Sequence, residues 1–379
     1  MPALNKAQIE LPTGTLDLVI DGIIDLDSYC GFAARANPKR GFLIVSKVLG
    51  RHLPASPTEM RGTMDALANK LPGDLIGPAV ILGMAETATA LGQGVFAAYQ
   101  KAHPFKDIIY LQSSRQIVEG AELISCFEEG HSHATTHLIQ VGDRALRDTV
   151  RAARTLVIVD DECSTGRTYV AVAKAMLEAM PNLESIVTCC ITDWSGGHYI
   201  DDMPRRTLPV SLISGSMTWS AGEAPTSVAL ASGSNVAGRA PKNGMKSRSG
   251  LTKPEQATRP EIEVKFGERM LVLGEGEHSY EALLVAEEVE RKGGVAAVQC
   301  ITRSPALLGW AMETKSCFSD SYGSGAPCFL YNVLKHQPDR IVIVAEQLAS
   351  QAEEARTALQ ELGSPISVDI VLCSYAKGE

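Results

Sequence analysis

Residues 156–168 read LVIVDDECSTGRT. A β-branched apolar run ends in two adjacent carboxylates, Asp160 and Asp161, and a short glycine-containing loop leads into a helical pattern. In an open α/β sheet, ligands bind outside the carboxyl ends of such strands. Two carboxylates there can accept both hydroxyls of a ribose and lie near a bound divalent cation. Ser164, Thr165, Gly166, Arg167 and Thr168 place backbone N–H groups and hydroxyls at a helix N-terminus, a ready phosphate site. Gly166 permits close backbone approach. An acidic helix cap after a buried strand would need neither both acids nor the Thr-Gly-x-Thr spacing.

Outward from this stretch the texture repeats. Short apolar runs at 16–20, 79–82, 108–111, 186–191, 270–273, 295–300, 341–344 and 366–372 read as strands, and 168–180 and 279–291 read as helices. Near-continuous apolar strands separated by helices predict an α/β fold with a parallel sheet covered on both faces. Residues 220–260 break the pattern, being rich in Ser, Gly, Pro, Ala and Lys, and read as a linker. The expected organisation is a first domain at 1–220, a flexible linker at 221–262 and a second α/β domain at 263–379.

The two flanks of that linker match each other. ILGMAETATAL (81–91) aligns with VLGEGEHSYEAL (272–283), setting Gly83 on Gly274 and Glu86 on Glu277. IYLQSSR (109–115) aligns with AVQCITR (297–303), and VIV (157–159) with VIV (342–344). The alternative is that any two α/β domains share this texture; the alignment favours a second domain that is a degenerate copy of the first.

Composition narrows the class. The 379 residues carry 35 Lys+Arg against 44 Asp+Glu, a formal net charge of −9, which argues against a nucleic-acid partner. No run approaches a membrane span. The segment MPALNKAQIELPTG lacks a charged-then-apolar leader pattern, so a cytoplasmic location is expected. Nine cysteines without a CxxC suit free thiols.

The 156–168 stretch resembles the 5-phosphoribosyl-1-pyrophosphate (PRPP) loop of type I phosphoribosyltransferases, in which an apolar strand runs into two acids and a Thr-Gly-x-Thr loop. The resemblance widens along the chain. RANPKRGFLIVSKVLGRHLPASP (35–57), GMAETAT, EEGHSHATTH, VDDECSTG and the tetrapeptide Thr302-Arg303-Ser304-Pro305 occur in that order. Together they look like the phosphoribosyltransferase of bacterial tellurium-resistance and stress-response gene clusters, with its C-terminal TRSP domain. That resemblance implies an orotate-phosphoribosyltransferase-like fold, PRPP and Mg²⁺ as ligands, and an acceptor it does not specify.

Further site residues follow from the resemblance. Asp160, Asp161 and 164–168 would hold the ribose and 5-phosphate, with the two acids near Mg²⁺ mostly through PRPP. Gly83, Ala85, Glu86 and Thr87, with Ser113 and Ser114, would meet the pyrophosphate, and Arg115 would bring its fork of donors to phosphate oxygens. CFEEGHSHATTH (126–137) falls where these enzymes carry a mobile loop, so Glu128, His131 and His133 would act at the pyrophosphate or the base. A metal set of Cys126, His131, His133 and His137, or solvated loop histidines, are the other readings. Hypoxanthine and guanine enzymes usually carry an Asp just before the Thr-Gly pair; Ser164 stands there and argues against a 6-oxopurine acceptor. Cys163 reads as a packing residue, although a helix N-terminus can lower a thiol pKa.

The second half has lost this chemistry. VIVAEQLASQ (342–351) puts Ala345 where Asp160 stands and has no glycine loop, so PRPP should not bind there. Glu277, Thr302, Arg303 and Ser304 still place polar groups at strand ends as a candidate second site, with plain scaffolding as the alternative. The functional expectation is a Mg-dependent transferase acting on a nitrogenous acceptor, or the reverse pyrophosphorolysis. The alternatives are a PRPP-binding regulator without turnover and a PRPP-forming pyrophosphokinase. Expected partners are PRPP and a small-molecule acceptor, with neither nucleic acid nor membrane. A homodimer, or partner proteins from the same gene cluster, are options that the resemblance adds.

Overall fold

The computed structural model describes residues 4–35, 37, 40–128, 136–222, 238–241, 244–319, 327–346, 350–362 and 366–373. They form two compact units: the described residues of Arg61–Leu212, Asn235–Arg259 and Cys373–Glu379, and those of Met1–Met60, Ile213–Ser234 and Pro260–Leu372.

The first unit carries the quoted stretch. Its core strands are β1 (Ala79–Gly83), β2 (Ile108–Ser114), β3 (Glu122–Glu128), β4 (Thr136–Val141), β5 (Thr155–Val159) and β6 (Ser185–Asp193), with helices α1 (Thr89–Ala102) and α2 (Arg167–Met176). The order is β6-β5-β1-β2-β4-β3, with β6, β5, β1 and β2 parallel and the β3–β4 hairpin antiparallel beyond β2. Every residue of β1, β2 and β5 is buried, as a sheet covered on both faces requires. All three strands therefore end in one row, and the loops that follow them share one edge of the sheet.

Close packing at that edge needs small residues. A Cβ on Gly92 of α1 would lie 2.6 Å from the Gly83 Cα, and one on Gly83 would lie 2.4 Å from the Tyr110 hydroxyl. Gly92→Ala should gain about 1 kcal/mol of helix propensity. The obstacle is backbone, however, and overpacking of that kind costs roughly 1–3 kcal/mol. We expect a net loss, read as a lower thermal midpoint of this unit; an unchanged or raised midpoint would show that α1 can shift.

The second unit repeats the parallel arrangement in β7 (Arg269–Glu275), α3 (Tyr280–Arg291), β8 (Val295–Ile301), β9 (Arg340–Ala345) and β10 (Ser367–Leu372), ordered β8-β7-β9-β10. The register follows the sequence alignment. Gly83 pairs with Gln112 and Val159, whereas Gly274 pairs with Cys300 and Val344. Those are the residues that the alignment superposes.

Three structural observations bear on these expectations. Residues 16–20 belong to an antiparallel hairpin, Leu4–Leu11 with Gly14–Asp21, whose buried positions alternate as a half-exposed strand's do. The 1–220 boundary does not follow the compact units, because residues 30–60 complete the core of the C-terminal half. Ala33, Leu43, Val45 and Leu53 pack with Ala306, Met312, Phe329 and Tyr331. Ala55 bridges to Val298, and the Gln299 side-chain amide donates to the His52 carbonyl at 2.8 Å. Nor is 244–259 a free linker: Met245, Arg248 and Leu251 are buried, and Leu251 exchanges backbone hydrogen bonds with Tyr110. Composition missed this because two apolar residues at the right spacing suffice to anchor a polar segment.

His52 gives the second unit a pH signature. Burial, then the Arg51 and Arg35 guanidiniums, push it from 6.5 down to about 3, and its buried Nε2 has no hydrogen-bond partner among the described residues. Between these values the unfolded chain takes a proton that the folded chain refuses. Stability should therefore fall by about 1.4 kcal/mol per pH unit as the pH drops below 6.5. His52→Phe should flatten that slope in denaturant titrations at pH 7 and pH 5; an equal slope in both proteins would contradict it.

Among the described residues no helix is long and apolar enough to cross a membrane. Among the described residues the cysteines form no disulfide with one another.

Candidate functional site

The site builds from β5 outward. Asp160 and Asp161 follow the last residue of β5 and are half-buried. The Asp160 N–H donates to the Cys189 carbonyl of β6, and its Oδ1 accepts the Asp161 N–H at 2.9 Å. The Asp161 carbonyl accepts from Ile191 N–H, so both acids sit on backbone anchored to the neighbouring strand. The chain then makes a short parallel pairing of Glu162–Cys163 with Thr192–Asp193 and turns into α2.

Gly166 makes that turn. It caps α2 at φ +74°, a conformation that favours glycine, and Arg167 and Thr168 open the helix. Ser164 and Thr168 are half-buried, Thr165 and Arg167 exposed. The first-turn N–H groups have no partner within the helix, which leaves the loop with the donors and polarity an anion needs. Cys163 is a packing residue: burial, with Asp193 nearby, pushes its thiol well up rather than down.

The loop after β1 faces the same acids. Met84 N–H donates to the Val159 carbonyl, and the Thr87 hydroxyl donates to Asp161 Oδ1 at 2.8 Å. Glu86 and Thr87 are half-buried, whereas Gly83 and Ala85 are buried. Ala85 N–H donates to the Ser113 hydroxyl at 2.8 Å, and that Oγ lies 3.0 Å from His137 Nδ1. Ser114 Oγ donates to the Gln116 carbonyl and accepts its N–H. Both serines are fully buried, and their hydroxyls bond to the loop after β1, to His137 and to the backbone just past β2.

Arg115 is half-buried just past β2, and Glu128 is exposed at the end of β3. His131 and His133 lie outside the described residues. His137 is buried, bonded to Ser113 and stacked on Phe127 with ring centroids 4.6 Å apart, an environment that does not suit a metal ligand. Among the described residues no three His, Cys, Asp or Glu side chains are grouped to hold a metal. Two carboxylates suit a hard divalent cation but make no cage, so Mg²⁺ fits here only as an ion that keeps waters and substrate oxygens.

In the second unit, Glu277 is buried in the turn after β7, and Thr302 at the end of β8 is buried and bridges to Phe329. The Tyr331 hydroxyl accepts the Ala306 N–H at 2.7 Å and donates to the Ser304 carbonyl at 3.0 Å, which pins the 302–306 loop. Arg303 and Ser304 are half-buried.

Comparison with known proteins agrees with this geometry. Residues 29–215 match the family described as phosphoribosyl transferase, and residues 243–362 match the TRSP domain found C-terminal to it. Residues 29–215 belong to this phosphoribosyl transferase family. Its TRSP domain follows in the order the family has. No curated protein matches the chain. Among solved structures, adenine phosphoribosyltransferase from Rhodothermus marinus is similar at 15% identity, covering 49% of this chain and 94% of that one, with a TM-score of 0.32. The Leishmania donovani adenine phosphoribosyltransferase is 13% identical, covering 50% and 77%, with a TM-score of 0.33. A hypoxanthine-guanine phosphoribosyltransferase from Bacillus anthracis is 13% identical, covering 37% and 69%, with a TM-score of 0.24. Those values are too low to bear on the acceptor of this transferase.

Sequence reasoning passes over one residue of this site and gives another a different role. Tyr199 closes behind Gly166, and its hydroxyl lies 2.6 Å from Thr188 Oγ1. His137 backs the 84–87 loop, whereas its sequence neighbours group it with the loop before it. Each acts across a long sequence separation, with no local signal.

Proposed function

We propose that the first unit transfers a phosphoribosyl group from PRPP, as its Mg²⁺ complex, to a nitrogenous acceptor, or runs the reverse pyrophosphorolysis. The observation that supports it best is the Thr87 hydroxyl bond to Asp161. It ties the loop after β1 to the acids after β5, so a sugar on the acids has its leaving group beside that loop.

Each group of residues then has one task. Asp160 and Asp161 accept the ribose hydroxyls. The 164–168 turn and first-turn N–H groups of α2 hold the 5-phosphate. The 84–87 backbone, Glu86 and Arg115 orient the pyrophosphate, whose negative charge builds as the bond to C1 breaks. Mg²⁺, when bound, would neutralise part of that charge. The acceptor nitrogen attacks C1 from the side opposite the leaving group. No side chain becomes covalently attached, and positioning supplies most of the rate.

Pyrophosphate release from Mg·PRPP, measured across a panel of purine, pyrimidine and other heterocyclic bases, tests the proposal. Release dependent on one acceptor supports it. Tight PRPP binding without release from any acceptor would favour a regulatory role.

A further inference from the structure

We infer that His137 is a positioning residue for the pyrophosphate loop, acting through Ser113. The inference rests on the transferase reading above, and it adds a residue outside the acid pair and the phosphate turn.

The chain of contacts is short and buried. Ala85, in the middle of the loop after β1, gives its N–H to Ser113 Oγ at 2.8 Å. Ser113 is fully buried, and its Oγ lies 3.0 Å from His137 Nδ1. A hydroxyl that accepts the Ala85 N–H still has its own proton to give. With a proton on Nε2, the His137 imidazole can take that proton at Nδ1. The imidazole thus fixes the rotamer of the hydroxyl, and the hydroxyl fixes the direction of the Ala85 peptide.

His137 is itself held firmly. It is 1% exposed, pairs across the hairpin with Phe127, and stacks on that ring at 15° between planes. The next residue of β4, Leu138, pairs with Ser114 of β2, so the histidine stands where the hairpin joins the sheet. The loop is therefore tied at two points: Ala85 to the Ser113–His137 pair, and Thr87 to Asp161. Loosening the first tie should blur the backbone donors aimed at pyrophosphate. The second tie and the 164–168 turn stay, so the sugar-phosphate half should not feel the change.

Calorimetry on the full chain tests this with two probes, Mg²⁺-pyrophosphate and ribose 5-phosphate. His137→Leu keeps apolar bulk and removes the acceptor; Ser113→Ala removes the hydroxyl; His137→Asn keeps an acceptor oxygen near the Nδ1 position. We expect His137→Leu and Ser113→Ala each to weaken pyrophosphate by about tenfold, with ribose 5-phosphate within about twofold. The double variant should be no worse than either single one, because both break the same relay. His137→Asn should recover most of the affinity. Hydrogen exchange over 81–91 should quicken in His137→Leu and Ser113→Ala but not in His137→Asn, a readout independent of ligand.

Unchanged pyrophosphate affinity, or equal loss of both ligands, would overturn the positioning role while leaving the transferase reading in place. So would failure of His137→Asn to recover affinity when its exchange matches the wild type. A wild-type chain that binds neither probe would overturn the transferase reading and this inference together.

Discussion

Changing both Asp160 and Asp161 to Asn is expected to abolish measurable binding of Mg·PRPP while leaving the unit folded. Hydrogen bonds to a charged acceptor contribute about 1.5–3 kcal/mol each. Losing two therefore weakens binding by roughly 10²–10⁴-fold, counting 1.4 kcal/mol per decade. The fold should survive because Asn retains the oxygen that each acid uses internally. The Asp161 N–H bonds Asp160 Oδ1, and the Thr87 hydroxyl bonds Asp161 Oδ1; a carbonyl oxygen can accept in both places. What Asn cannot supply is negative charge toward a ribose hydroxyl and a divalent cation. Calorimetry with Mg·PRPP, beside circular dichroism, separates the two effects. Undiminished affinity in a folded double variant would remove the acids from the site.

The parts of this fold that were legible in the sequence are those whose burial is two-sided. LVIV at 156–159 and AVIL at 79–82 are apolar at every position because helices cover both faces, and both are core strands. LDLVI at 16–20 has nearly the same composition, yet Leu16, Leu18 and Ile20 point inward while Asp17 and Val19 do not. One polar residue was the only local sign of that alternation. The internal alignment proved informative because parallel register is set by the same small and apolar residues that were aligned; Gly83 with Val159 and Gly274 with Val344 hold equivalent sheet positions.

Long-range partnership left no such trace. Nothing local in residues 30–60 shows that they complete a core begun more than 200 residues later, since an apolar hairpin looks the same whichever sheet it covers. At the site, the acids and the glycine turn were legible because one contiguous stretch carries them. The support behind them was not. Ser113 reads as a phosphate contact after a strand, and only the structure shows its hydroxyl turned inward between Ala85 and His137. A serine at a ligand-facing edge has two sides, and its sequence neighbours do not say which one it uses.

Gly166→Ala should also damage the phosphate half of the site, for a different reason. Gly166 holds φ +74°, and a Cβ there would lie 2.1 Å from Tyr199 Cγ. The left-handed conformation alone costs an ordinary residue roughly 1–2 kcal/mol. The collision costs more, because Tyr199 cannot step aside cheaply. It is 3% exposed, lies against Tyr169 with ring centroids 5.6 Å apart, and its hydroxyl is 2.6 Å from Thr188 Oγ1. The turn itself must move, and with it the first N–H groups of α2. We expect PRPP and ribose 5-phosphate affinity to fall by at least about tenfold together, since both share the 5-phosphate, while pyrophosphate affinity changes little. Gly166→Ala combined with Tyr199→Ala should recover part of the loss by opening the space, leaving the φ penalty. That partial recovery distinguishes a steric turn from a merely unstable one. If the second substitution recovers nothing while the variant stays folded, the backbone conformation alone decides the site, and the Tyr199 contact does not.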